Sequence, residues 1–204
     1  MTNTEPYNPL AKENLGKSVA EAMLNSETMP LGDLLKFNGA GVYAIYYTGD
    51  FQVYQPISRQ NQDGEVKVPI YVGKAVPPGA RKGNIDTETE VSPVLHKRLK
   101  EHARSIEQVS NLDLSDFVCR FLVVDDIWIP LGESLLIAQF SPLWNTTLDG
   151  FGIHDPGGGR RVQERSRWDV VHPGRPFADK QGPRKESAEH LMTSVTAQLR
   201  DQFD

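Results

Sequence analysis

Two stretches of β-branched and aromatic residues, Gly41–Tyr47 and Val68–Lys74, flank a polar segment that runs from Gln55 to Val66 and holds the turn dipeptide Asp63-Gly64. That pattern predicts two antiparallel neighbouring strands, because side chains of this shape pack well on a pleated surface and Asp-Gly suits a hairpin turn. A third strand is expected at Phe117–Val124. Helical spacing appears instead where Ala11, Leu15, Val19, Ala22 and Met23 recur, predicting a helix from Asn8 to about Asn25. The spacing of Leu95, Leu99, Ala103 and Ile106 predicts another over Val94–Glu107. A short helix is expected at Pro30–Leu35. A further one begins at Ile129-Pro130, carries Leu135, Leu136, Ile137 and Phe140, and stops at Pro142. Glu186 to Phe203 closes the chain as a last helix. The sum is an α+β fold, a small and mostly antiparallel central sheet flanked by helices, with a Pro/Gly-rich inserted loop at 75–93.

The chain has 204 residues, enough to bury a sizeable core but seldom enough for more than two domains. Its lone Cys119 has no cysteine partner for a disulfide or a zinc site and reads as a buried strand thiol. No apolar run approaches the roughly 20 residues that span a bilayer, and residues 1–6 lack a secretory pattern, so a cytoplasmic protein without a membrane partner is expected. The formal net charge of -5 argues against a nucleic-acid partner only until the charges are located. Cations gather at His96–Arg104, at Arg160, Arg161, Arg165 and Arg167, and at Arg175, Lys180, Arg184 and Lys185, whereas acids gather at Asp86–Glu90, Asp113–Asp126 and the C-terminus. Segregation of that kind favours phosphate contact.

Polar groups fall in a telling order along the predicted elements. Tyr43 and Tyr71 lie on the paired strands, Lys74 follows the second, Arg98 and His102 sit one helical turn apart, Glu133 lies early in its helix and Asn145 follows it. Phenol, guanidinium, imidazole and carboxylate are the groups that metal-assisted phosphodiester hydrolysis requires. The glycine-rich run Gly150–Arg161 lacks the Gly-Lys-Ser/Thr ending of a phosphate-binding loop, so no nucleotide cofactor is expected.

With Gly41-Val42-Tyr43, Tyr71-Val72-Gly73, Arg98, His102, Glu133 and Asn145 in that order, residues 38 to 150 resemble the GIY-YIG nuclease superfamily. The resemblance implies one domain over 1–204: a helical arm at 1–37, a catalytic core at 38–150 and DNA-contacting loops with a closing helix at 151–204. It implies Mg²⁺ as cofactor, with Mn²⁺ as a substitute, held by Glu133. It assigns Arg98 to the scissile phosphate, Tyr43 with His102 to the base system and Lys74 to phosphate or leaving group, with Asn145 orienting Glu133 or a phosphate. Which tyrosine meets the attacking water stays open. Small size and a basic tail are similar to the superfamily's type II restriction endonucleases, most of all the group cutting CCGCGG, which implies double-stranded DNA as substrate and a homodimer on a palindromic site. Candidate DNA contacts are Arg81, Lys82, Arg104, Arg160, Arg161, Arg165, Arg167 and Arg175. Two other readings are a repair-type GIY-YIG endonuclease and an inactive DNA-binding scaffold.

Overall fold

A computed structural model describes residues 8–62, 64–77, 92–153 and 163–203. Strands β1 (Met29–Pro30), β2 (Gly41–Tyr47), β3 (Pro69–Ala75) and β4 (Phe117–Val123) form one antiparallel sheet in the order β1-β4-β2-β3. The helices are α1 (Lys12–Asn25), α2 (Gln55–Arg59), α3 (Val94–Glu107), α4 (Ile129–Phe140), α5 (Arg167–Val171) and α6 (Ala188–Phe203). The α+β architecture is the expected one.

Every residue of β2 is buried, because helices cover both faces of the sheet. Val42, Ala44, Tyr46 and Val72 project toward α1 and α4 and pack with Met23, Ile129 and Leu136. Tyr43, Ile45, Tyr47 and Tyr71 project the other way, into a larger core with Leu95, Leu99 and Ile106 of α3, Trp144, Trp168, and Leu191, Val195 and Leu199 of α6. Truncating one such buried leucine to alanine costs about 2–5 kcal/mol. Register places Tyr43 opposite Gly73 and Ile45 opposite Tyr71, so both signature tyrosines share the α3 face.

Three segments depart from the sequence expectation. The helix expected at Pro30–Leu35 is absent: Met29 and Pro30 pair with Cys119 and Val118, and Leu31 N–H donates to Phe117 O at 3.0 Å. Satisfying the outer edge of β4 outweighs the weak local helical pattern, and an edge strand tolerates proline. The polar connection between β2 and β3 is not a simple turn, since it holds a 3₁₀ turn at Gln52–Tyr54 and the helix α2. Buried Asn61 then ties its ends together, donating to Tyr47 O and Val68 O and accepting from Lys67 N–H and Val68 N–H at 2.9–3.0 Å. Gly64 adopts φ +79° there; Asp63 lies outside the described residues. Helix α1 begins at Lys12 rather than Asn8, whose side chain accepts from Leu10 N–H. Among the described residues no helix is long and apolar enough to cross a membrane.

Candidate active site

Both glycines of the paired tripeptides are required by close approach. A Cβ on Gly73 would lie 2.4 Å from Tyr43 Oη, and one on Gly41 would lie 1.9 Å from Leu122 O. The Tyr43 ring therefore crosses β3 directly over Gly73 and comes to 6.2 Å, centroid to centroid, from Tyr71. The two phenols differ in access: Tyr43 is 0% exposed and Tyr71 9%.

Helix α3 brings up the next pair. His102 lies in the buried stripe of α3 with Leu95, Leu99 and Ile106, and its Nε2 is 2.6 Å from Tyr43 Oη. Its ring is stacked on Phe151 at 4.6 Å and meets the Tyr71 ring edge-on at 5.1 Å. One turn earlier, half-buried Arg98 donates from Nη2 to Gly152 O at 2.9 Å and from Nη1 to Glu101 at 3.2 Å. Burial, followed by the neighbouring Tyr71 phenol, pushes the Tyr43 pKa well above that of a free phenol despite the counter-pull of Arg98. Tyr71 is raised too, mainly by burial. Both phenols are therefore protonated at neutral pH, and Tyr43 Oη shares a hydrogen bond with His102 Nε2.

On the opposite face of β3, Lys74 Nζ lies 2.6 Å from Glu133 Oε2 on α4. Because β3 is the edge strand, these two faces meet at its C-terminal end around a cavity of about 480 Å³. Tyr43, Tyr71, Lys74, Arg98 and Glu133 all line it, with Lys97 and Glu101. Five of the seven candidate catalytic residues thus converge there, and His102 stands directly behind Tyr43.

Asn145 is placed differently from the sequence expectation. Its Oδ1 accepts from Val72 N–H and its Nδ2 donates to Val72 O, both at 2.8 Å. The carboxamide thus occupies the place of a missing neighbour strand at the free edge of β3, and these bonds direct it to the backbone of β3 instead of to Glu133. The candidate DNA contacts also separate. Arg104 is exposed on the last turn of α3. Arg165 pairs with Asp179 at 3.3 Å, and Arg167 with Glu186 at 3.1 Å. Arg175 is 0% exposed and paired with Asp169 at 2.6 Å, so it is a core residue with no surface to offer a phosphate. Arg81, Lys82, Arg160 and Arg161 lie outside the described residues.

Sequence reasoning missed Phe151, Gly152 and Glu101. The first two stand at the start of the glycine-rich run Gly150–Arg161; their signal was the aromatic between two glycines, a close-packing pattern.

Among the described residues no group of three or more His, Cys, Asp and Glu side chains is disposed to hold a metal ion. Among the described residues, Glu133 beside Lys74 and Glu101 beside Arg98 are the carboxylates that line the cavity with the phenols. That donor set suits Mg²⁺, which keeps several waters and accepts one or two carboxylates, and does not suit a zinc site or a carboxylate-rich two-metal cage.

A four-stranded antiparallel sheet with Gly-Val-Tyr and Tyr-Val-Gly on adjacent strands, flanked by an Arg/His helix and a Glu helix, defines a nuclease of the GIY-YIG class. Residues 35–199 match the family model described as the Eco29kI GIY-YIG domain, and the chain belongs to that family of restriction endonucleases. No match was found among curated proteins. A nuclease domain implies DNA as its substrate.

Proposed function

We propose that this protein is a type II restriction endonuclease that hydrolyses phosphodiester bonds of double-stranded DNA, with Mg²⁺, at a short palindromic and G/C-rich site for which CCGCGG is the candidate. The observation that carries this reading is the convergence of Tyr43, Tyr71, Lys74, Arg98 and Glu133 on one cavity, in a chain of a restriction-enzyme family.

Arg98, oriented by Gly152 O and Glu101, donates charge-assisted hydrogen bonds to the scissile phosphate and stabilises charge developing there. Tyr71, the phenol with exposed surface, orients the attacking water at the cavity. A protonated phenol is no base, so the water's proton can be taken up only as a phenolic proton moves on. Tyr71, hydrogen-bonded to Tyr43, passes its proton to that phenol as it takes up the water's, and the 2.6 Å contact from Tyr43 Oη to His102 Nε2 provides the exit. Lys74 supports the phosphate or the departing oxygen. Glu133 holds Mg²⁺, which when bound neutralises phosphate charge and acidifies a water. Arg104 and the basic residues 160–167 contact the backbone, and two copies of the chain match a two-fold site.

Digestion of a sequenced, unmethylated plasmid tests the reading. Discrete fragments with Mg²⁺ are expected; nicking confined to branched or damaged DNA would favour a repair nuclease, and binding without cutting would favour a scaffold.

A further inference from the structure

Among the described cations of the tail, Arg175 is fully buried and has an elaborate set of partners. Arg175 Nε and Nη2 grip the Asp169 carboxylate at 2.6 and 2.7 Å. Nη1 donates to Phe151 O and Ile153 O at 3.1 and 2.8 Å, and Nη2 donates to Gly150 O at 3.1 Å. All five guanidinium N–H groups are therefore engaged. Asp169 is fixed in turn by Ser166, whose Oγ donates to Oδ2 at 2.6 Å. The indole of Trp168 and the ring of Phe177 sandwich the guanidinium at 4.6 and 4.7 Å.

We propose that the buried Asp169–Arg175 pair is a positioning device for the active site, holding the loop Gly150–Ile153 so that it aims Arg98 and braces His102. The carbonyls of Gly150, Phe151 and Ile153 turn toward Arg175, whereas that of Gly152, between them, turns the other way and accepts from Arg98. The Phe151 ring lies against His102. The loop is fitted closely to both ends of this chain of contacts. A Cβ on Gly152 would lie 2.4 Å from Tyr71 Oη, and one on Gly150, which has φ +105°, would lie 2.2 Å from Ser166 Cβ.

Stability alone does not account for such a pair. Well-packed apolar residues of similar volume commonly replace a buried ion pair without loss, because desolvating two charges is costly. What no apolar residue supplies is a planar fork with donors for three inward-facing carbonyls. Arg175 thus acts on the reaction through the loop and Arg98, without touching substrate, an inference that rests on the nuclease reading above.

The test is single-turnover cleavage of unmethylated plasmid DNA in Mg²⁺, with excess protein, below the onset of melting of each variant. Arg175→Lys keeps the charge opposite Asp169 but loses the fork. It is expected to slow cleavage about 10- to 100-fold, the scale of a misplacement of about 1 Å. Plasmid binding in Ca²⁺ is expected to change less than about two-fold, and the same substitution in an Arg98→Lys background to slow cleavage less than about three-fold, since residues coupled through a shared backbone segment are non-additive. Asp169→Asn, which keeps the side-chain volume, gives the same pattern and serves if Arg175→Lys does not fold. Met23→Ala, a cavity on the opposite face of the sheet, is the control for general destabilisation. An unchanged rate, an equal fold-loss with and without Arg98→Lys, or the same loss in Met23→Ala overturns the positioning role. A wild-type protein that leaves the plasmid uncut overturns the nuclease reading itself.

Discussion

Tyr43 Oη and His102 Nε2 meet at 2.6 Å inside the core, and neither side chain has exposed surface. A phenol so buried resists losing its proton to water, and the imidazole is the group placed to receive it. The contact joins β2 to α3 and therefore carries both packing and chemistry.

Replacing His102 by phenylalanine separates those roles. The variant leaves the Tyr43 hydroxyl buried without its imidazole, at a cost of about 1–3 kcal/mol, and removes the proton acceptor, at about 10²- to 10⁴-fold in rate. Adding Tyr43→Phe removes the hydroxyl that has lost its imidazole, so the double variant regains stability in a thermal melt yet stays inactive. A double variant that recovers cleavage would show that the pair serves packing alone.

Gly73→Ala tests the geometry without deleting any reactive group. The new methyl would lie 2.4 Å from Tyr43 Oη and must push the ring off β3. Single-turnover cleavage should fall by about 10²-fold, as expected for a misplacement of about 1 Å, with DNA binding in Ca²⁺ retained. Full activity in Gly73→Ala would show that the Tyr43 position is not critical.

The core also carries a pH-dependent element away from the cavity. His172 bonds through Nε2 to Tyr54 Oη and through Nδ1 to Asn111 Oδ1, at 2.5 and 2.9 Å. Burial, aided by the nearby Arg175 charge, pulls its pKa from 6.5 down to about 3. Because the folded pKa is the lower, the unfolded chain binds the extra proton between these values. Stability from this histidine is therefore fully present above pH 6.5 and declines as pH falls toward 3, by on the order of 5 kcal/mol. Denaturant melts at pH 7 and pH 4.5 should show a smaller difference for His172→Gln than for the wild type; equal differences would assign the acid sensitivity to other groups.

Much of this arrangement was legible in the residues. Tyr43 and Tyr71 declared their strands through β-branched and aromatic neighbours, and the four-residue step from Arg98 to His102 on a helix with Leu95 and Leu99 fixed their common side of α3. The rest depends on partners distant in the chain, which local patterns do not report. Arg175 reads as a surface cation because the buried Asp169 and the three carbonyls it binds are invisible to composition. Asn145 reads as a site residue because its bonds to Val72 exist only once β3 has a free edge. Pro30 became a strand residue because β4 needed an edge partner, not because of its own neighbours.

Lys74 and Glu133 form a close ion pair at the cavity. A divalent ion on Glu133 must share the carboxylate with that ammonium, so Lys74→Met is expected to lower the Mg²⁺ concentration for half-maximal cleavage while reducing the maximal rate. A Mg²⁺ titration of single-turnover rates reads both effects. An unchanged midpoint would separate Lys74 from the metal-binding carboxylate.

The most direct measurement sets the wild-type protein beside Glu133→Gln on unmethylated phage DNA, with and without Mg²⁺, followed by sequencing of the fragment ends. One palindrome at every end, produced only by the wild type and only with Mg²⁺, is the predicted result. Intact DNA, or equal cutting by both proteins, would contradict a metal-dependent, site-specific nuclease centred on Glu133.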